Sequence, residues 1–345
     1  MQRYRFPLGC PQQERPKGSA MRKNWALLCF AFTFMLAAAQ ASHAADYPTR
    51  PIKLVVPYVA GGPTDAQARL FAEYLARDLK QSVFVENKGG AQGAIGAEAV
   101  AHGDPDGYTL LFTTSSVVEL NQVLYKKLAY DPDRELRVLG VLTDVPMIMV
   151  VHPSIPAKTL AEFRDYAKKN PGKLNFGSAG SGSIGQLAGE MFKQQTGVEM
   201  THVPYKGAGA AMTDLLSGQI QLMFESVGIS LPPVQAGLLR PLGVTSSERI
   251  AELPDLPTIA ENGYPGYRVS VWYGIAAPAG MPGEAARMIS ASINRALGDE
   301  AFRASLTKAG FAPLKPRSED ELRQFVDADK ARWLNVVKKL NFSLD

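Results

Sequence analysis

Hydrophobic positions along the chain switch between two periods. Ile52–Tyr58 is a short β-branched run, and Thr64–Leu79 follows with Leu70, Phe71, Tyr74, Leu75 and Leu79 on one helical stripe. Val83–Val85 and Tyr108–Thr113 read as buried strands around a glycine- and alanine-rich helix over Gly93–Ala101. The plan then repeats. A strand at Leu174–Ser178 precedes a helix carrying Ile184, Leu187, Ala188, Met191 and Phe192, and strands Met200–Val203 and Ile220–Phe224 bracket a helix near Ala210–Leu216. Apolar strands alternating with amphipathic helices predict an α/β class with parallel sheets covered on both faces.

Because single cores stop growing near about 250–300 residues, the duplicated plan predicts two doubly wound lobes. Residues 45–145 and 269–345 would form lobe 1, and residues 146–268 lobe 2. Two crossover strands, Pro146–Val151 and Val269–Ala277, would join them as a hinge.

Residues 1–44 stand apart. Met21-Arg22-Lys23, an apolar run from Trp25 to Ala39 and the small-x-small tripeptide Ser42-His43-Ala44 have the layout of a secretory signal peptide cleaved near Ala44. The apolar run is short of the roughly 20 residues that a membrane span needs. The polar stretch before Met21 reads as a mis-assigned upstream start, and Cys29, early in the run, is not placed as a lipid anchor.

Removing this leader changes the charge. The chain has 37 Lys+Arg and 33 Asp+Glu; six of those bases and one acid lie before Ala45, leaving 31 against 32. A nucleic-acid partner would call for a basic excess, which is missing. Cys10 and Cys29 also leave, so neither a disulfide nor a thiolate remains, and His102, His152 and His202 are too far apart in sequence to suggest a metal site.

Three loops follow strands at one sheet edge. Gly61-Gly62-Pro63-Thr64-Asp65 leads into a helix whose free N–H groups and dipole would attract an anion, with Thr64 and Gln67 spaced as a capping box. Gly177-Ser178-Ala179-Gly180-Ser181-Gly182-Ser183 repeats that geometry, with Ser183 and Gln186 as a second box. Thr113-Thr114-Ser115-Ser116 adds hydroxyls, and Glu225 ends the strand Ile220–Phe224. Open α/β sheets bind ligands at this carboxyl edge. The expected ligand-binding set is Ala60, Gly61, Gly62, Thr64, Asp65, Thr114, Ser115, Ser178, Gly180, Ser181, Gly182, Ser183 and Glu225.

Enzymatic readings fare worse. Gly180-x-Gly182-x-x-Gly185 fits a dinucleotide fingerprint, but its ribose-binding acid should end the next strand, and Glu199 stands at the start of it. Neither Ser181 nor Ser183 lies in a nucleophile elbow, and His202 falls inside a strand. No catalytic residue, metal or cofactor is expected.

The ordered motifs resemble a known family. Tyr47-Pro48-x-Arg50-Pro51-Ile52, Pro57-Tyr58-x-x-Gly61-Gly62-x-x-Asp65, Val85-Glu86-Asn87-Lys88-x-Gly90-Ala91 and Pro105-Asp106-Gly107-Tyr108-Thr109-Leu110 are similar to the tripartite tricarboxylate transporter receptors, or Bug proteins. In the second half Ser178-x-Gly180-x-Gly182-Ser183, His202-Val203-Pro204-Tyr205-Lys206-Gly207 and Trp272-Tyr273-Gly274 match as well. The resemblance implies a monomeric periplasmic receptor with a type II, Venus-flytrap fold. It implies a small organic acid held by backbone N–H groups, hydroxyls and water, and delivery to integral membrane permease subunits; a receptor serving a membrane kinase is the alternative. This chain departs from the family pattern at Val59-Ala60, where two prolines are usual. It departs also at Gln186, where histidine is common, at Glu225, where aspartate or asparagine is usual, and at Ala210, where proline is common.

Overall fold

In the computed structural model the described residues are 47–340; the leader and its cleavage point near Ala44 lie outside them. The strands are β1 (Ile52–Val56), β2 (Val83–Asn87), β3 (Thr109–Thr114), β4 (Leu136–Val151), β5 (Asn175–Ser178), β6 (Thr201–Pro204), β7 (Leu222–Ser226), β8 (Arg240–Val244) and β9 (Ser270–Pro278). The helices are α1 (Pro63–Leu79), α2 (Ala94–Ala101), α3 (Asn121–Leu124), α4 (Pro132–Glu135), α5 (Leu160–Lys169) and α6 (Ile184–Thr196). They continue with α7 (Ala208–Leu216), α8 (Val227–Gln235), α9 (Gly283–Gly298), α10 (Glu300–Lys308) and α11 (Glu319–Leu340).

The strands form two ladders that share β4. In the first, β1 is parallel to both β2 and β3, and β9 runs antiparallel between β3 and β4. In the second, β4 is antiparallel to β7 and β8, while β5 is parallel to β6 and β7. The change of partner is abrupt: β4 follows β9 from Leu136 opposite Pro278 to Pro146 opposite Ser270, then takes up β7 from Met147 opposite Ser226. Proline has no N–H to give a ladder, so Pro146 belongs at such a handover. The hydrogen-bonded path is therefore continuous, with β4 as its common rail. The first predicted crossover is the far end of this long strand, and the second is β9.

Other boundaries move by a few residues for local reasons. The strand predicted to reach Tyr58 ends at Val56, just before Pro57. The helix predicted from Gly93 begins at Ala94, behind a single 3-10 turn over Ala91–Gly93.

Each ladder has its own apolar packing. Val55, Leu111, Val141, Trp272 and Ala276 pack with Ala97 and Val100 of α2, and Leu322, Phe325 and Val326 of α11 close over them. On the other face Phe71 of α1 meets Phe302 of α10 edge-on at 6.3 Å. In the second ladder Ile148, Val150 and Met223 pack with Ala211, Met212 and Leu215 of α7. Phe192 of α6 contacts Phe224 at 5.7 Å and Phe163 of α5 at 6.2 Å. Fully burying side chains of this size stabilises by about 1.5–3 kcal/mol each. The packing brings the loops at the carboxyl edges of β1, β3, β5 and β7 into one region.

Candidate functional site

The first glycine-rich loop is held by a carboxylate. Asp65 Oδ2 accepts hydrogen bonds from the Gly61 N–H and Arg69 Nε, both at 3.0 Å, and Oδ1 accepts from Asn87 Nδ2 at 3.0 Å. Burial opposes ionisation of Asp65, but the bonds from Arg69, Gly61 and Asn87 outweigh it and hold the carboxyl below its ordinary range. Both oxygens are engaged within the protein, and through them Asp65 shapes the loop.

The expected Thr64–Gln67 capping box does not form. Gly62 is the N-cap, Pro63 occupies the first turn, and no side chain caps the helix. Gln67 turns into the core instead, where Thr143 Oγ1 donates to its Oε1 at 2.6 Å. The first intrahelical bond runs from Ala66 N to Gly62 O, which leaves the N–H groups of Thr64 and Asp65 without a helical acceptor. Ala60 and Gly61 are exposed beside them.

The second loop is more tightly tied. Ser178 Oγ and His202 Nε2 lie 2.7 Å apart in a hydrogen bond, and the Gly180 N–H donates back to Ser178 Oγ at 3.2 Å. Burial keeps the His202 pKa below its ordinary value. Ser183 caps α6 by accepting from the Gln186 N–H at 3.4 Å. The Gln186 side chain reaches one residue further than a capping box requires, and its Oε1 accepts from the Gly182 N–H at 2.7 Å. Gly180 and Gly182 have φ of +129° and +78°, and Ser181 at the loop's tip is exposed.

Thr114, Ser115 and Glu225 are buried between the two loops' strands. Tyr58 Oη and Thr114 Oγ1 are 3.1 Å apart. Ser115 Oγ is buried with no hydrogen-bond partner. Glu225 Oε1 accepts from the Ser226 N–H at 2.8 Å, and burial raises its pKa against that bond. Tyr273 stands opposite Thr114 on β3 and Thr143 on β4. Its phenol is raised by burial and then by the nearby Tyr58 and Glu225, with the Thr64 hydroxyl acting the other way. Thr64, Tyr58 and Glu225 therefore converge on one phenol, although they come from different ladders.

Sequence reasoning missed Tyr58, Tyr273 and above all Gln92. Gln92 Nε2 donates to the Ser181 carbonyl at 3.1 Å and so ties the first ladder's β2–α2 turn to the second ladder's loop. It does so from a left-handed backbone, with φ +51° at Gln92 and +47° at Ala91. Asn121 Nδ2 secures the turn by donating to the Gln92 carbonyl at 3.2 Å. Among the described residues no His, Cys, Asp and Glu group could hold a metal ion, and no helix is long and apolar enough to cross a membrane.

Comparison with known proteins identifies the family and the fold. The family model described as the tripartite tricarboxylate transporter family receptor matches residues 67–342. Protein BugT of Bordetella pertussis is 34% identical over 299 residues, covering 86% of this chain and 91% of BugT. A solved R. palustris protein with adipate is 36% identical, covers 86% of this chain and 99% of its own, and superposes with a TM-score of 0.79. MatC from Rhodopseudomonas palustris with bound malate is 34% identical, covers 84% and 100%, and gives a TM-score of 0.75. The fold is that of the type II periplasmic binding proteins.

Proposed function

The chain belongs to the tripartite tricarboxylate transporter receptor family, and from that premise we propose that it captures a small organic carboxylate in a cleft between two lobes and hands it to an integral membrane permease. The lobes are residues 45–145 with 269–345, and 146–268. The leader is removed near Ala44, and the mature receptor works as a periplasmic monomer without catalysing a reaction.

One observation carries the reading: two glycine-rich strand-to-helix loops, neither holding Arg or Lys, end strands of the two ladders, and Gln92 of the first ladder's β2–α2 turn hydrogen-bonds the second loop at Ser181. A helix N-terminus presents about half a positive charge and free N–H groups, which is enough to hold a carboxylate. In α1 those are the amides of Thr64 and Asp65. In the second loop an entering carboxylate takes the place of Gln186 Oε1 on the Gly182 N–H, exchanging a neutral hydrogen bond for a charge-assisted one about twice as strong. Ser115 Oγ supplies a further donor with no competing partner. Burial raises the Glu225 pKa, and its carboxyl, buried at the end of β7, faces the ligand's second oxygen-bearing end. Adipate and malate, bound by the two relatives, both carry acid groups at each end of a short chain.

A thermal-shift screen of mono-, di- and tricarboxylates on the purified protein tests this. A cognate acid at 100 times its dissociation constant adds about 2.7 kcal/mol of stability. If amines or sugars stabilise the protein and no carboxylate does, the reading fails.

A further inference from the structure

We propose that a cavity at the open edge of β4 is a second ligand site, and that it takes an amphipathic monocarboxylate. The cavity has a volume of 510 Å³, within the range of about 300–1,000 Å³ that suits small-molecule sites. In the first ladder β4 pairs with β9 along one side and is bridged on the other by Pro313 at Thr143, so Leu136–Val141 is a sheet edge. Helix α9 walls the cavity through Arg287, Ser290 and Ala291, and α11 through Leu322 and Val326.

Its place in the register separates it from the cleft. Leu136 stands opposite Pro278 and Gly140 opposite Ile275, whereas Tyr273, which faces Thr114 in the cleft, lies towards the other end of β9. None of the glycine-rich loop residues lines it.

Its chemistry is two-sided. Leu136, Val138, Leu322 and Val326 give an apolar surface. Five cations also line it: Arg137, Arg287, Arg317, Arg323 and Lys330. Three are neutralised, Arg137 by Glu319, Lys330 by Asp133 and Arg323 by Asp320. Arg287 and Arg317 form no salt bridge among the described residues, although the more distant Asp144 and Glu321 carboxylates act on Arg317. Of the acids along the wall, Asp327 is exposed at the rim, and Glu119 at the inner end shares its environment with Asp329.

Arg317 is the more telling of the two free cations. Its backbone is fixed twice to Asn294, N to Oδ1 at 3.1 Å and O from Nδ2 at 2.8 Å. Its guanidinium lies 4.4 Å over the Phe325 ring, and Nη1 is buried without a hydrogen-bond partner. A part-exposed guanidinium with one buried, unpartnered nitrogen leaves its remaining N–H groups to meet a carboxylate by a charge-assisted bond. A short alkyl or aryl tail would cover the apolar wall while the acid meets Arg317 and Arg287.

Equilibrium dialysis with radiolabelled octanoate, and with octanamide as its uncharged counterpart, tests the site on the purified protein. Wild type is expected to bind octanoate and to prefer it over octanamide. Ala291→Trp, at an exposed position on the cavity wall, should fill the space. Arg287→Gln with Arg317→Gln should remove the charge. Each should weaken octanoate binding roughly tenfold or more. Gly182→Val, which damages the cleft, should leave it unchanged. Absence of octanoate binding at millimolar concentration overturns the proposal, as does equal binding of octanamide. So does octanoate binding that survives Ala291→Trp but is lost in Gly182→Val, because the acid would then be in the cleft.

Discussion

Gln92 spends strained backbone to reach Ser181. The hydrogen bond between them, 3.1 Å long, crosses 89 positions of sequence and ties the β2–α2 turn to the second glycine-rich loop. A left-handed conformation costs a residue with a Cβ roughly 1–2 kcal/mol, and Ala91 and Gln92 adopt it in succession. Strain of this kind persists where surrounding structure over-determines it, here through Asn121 on the Gln92 carbonyl.

Gln92→Gly should therefore separate stability from binding. Removing the Cβ relieves the strain, so the melting temperature of the ligand-free protein should hold or rise. The lost bond is worth about 0.5–1.5 kcal/mol, so affinity for a cognate acid should fall roughly 2- to 12-fold. Calorimetry and small-angle scattering report the two effects. Unchanged affinity with an unchanged closed fraction would mean that the bond is incidental.

The two glycines of the first loop should differ. Gly61 has φ +85°, so Gly61→Val imposes about 1–3 kcal/mol of backbone strain even though a Cβ there meets nothing within 4 Å. Gly62 has φ −84° and ψ 173°, which any residue adopts, and its Cβ would approach only the Val59 carbonyl at 3.8 Å. Denaturant unfolding should show Gly61→Val destabilised and Gly62→Val near wild type. Carboxylate affinity should fall in both, because a branched side chain crowds the helix N-terminus. Lys206→Ala, at an exposed position, should bind normally. Loss of binding there would mean that a cation holds the acid.

Asp65→Asn tests the clamp on that loop. The native carboxyl is held below its ordinary 3.8, so its stabilisation is present above that value and is lost as pH falls through the lower native one. At neutral pH the Asn variant loses a charged acceptor shared by Gly61, Arg69 and Asn87 and should be about 1–3 kcal/mol less stable. Wild type and variant should converge in acid. A constant gap across the pH range would remove the charge from the explanation.

Much of this was legible in the sequence, and the exceptions have physical causes. Short apolar runs followed by glycine-rich turns placed β1, β5 and their loops, because strand burial and turn conformation are local. The length of β4 was hidden because one strand serves two ladders, and its partners β9 and β7 are distant in sequence. Thr64 and Gln67 have capping-box spacing, yet Gln67 also lies on the buried stripe with Ala68, Phe71 and Leu75, and burial prevailed. The family resemblance covered the fold and the class of protein. It offered no hint of Gln92, since nothing in a glutamine announces a positive φ.

Glu119 and Asp329 meet as two buried carboxyl groups in the first ladder. Glu119 follows the Thr114–Ser115 loop through a π-helical turn, and Trp272 Nε1 donates to its Oε1 at 2.9 Å. Asp329 comes from α11, which also reaches the second ladder, where Gln194 Nε2 of α6 donates to the Lys339 carbonyl. Glu119 Oε2 and Asp329 Oδ2 are both buried and lack a donor. A proton shared between them supplies one, and burial followed by the Asp329 charge pushes the Glu119 pKa from 4.5 up to about 10. Arg332 pairs with Asp329. The native state thus binds the Glu119 proton more tightly than the unfolded chain does. This contribution is whole below pH 4.5 and is eroded as pH rises towards 10. Glu119→Gln supplies a permanent N–H towards Asp329 and keeps a carbonyl for Trp272. The variant should be near wild type at pH 5 and about 1–3 kcal/mol more stable at pH 9, since a tenfold change in proton affinity corresponds to about 1.4 kcal/mol. Urea midpoints across that range measure the difference. Parallel pH profiles for the two proteins would show that no proton is shared there.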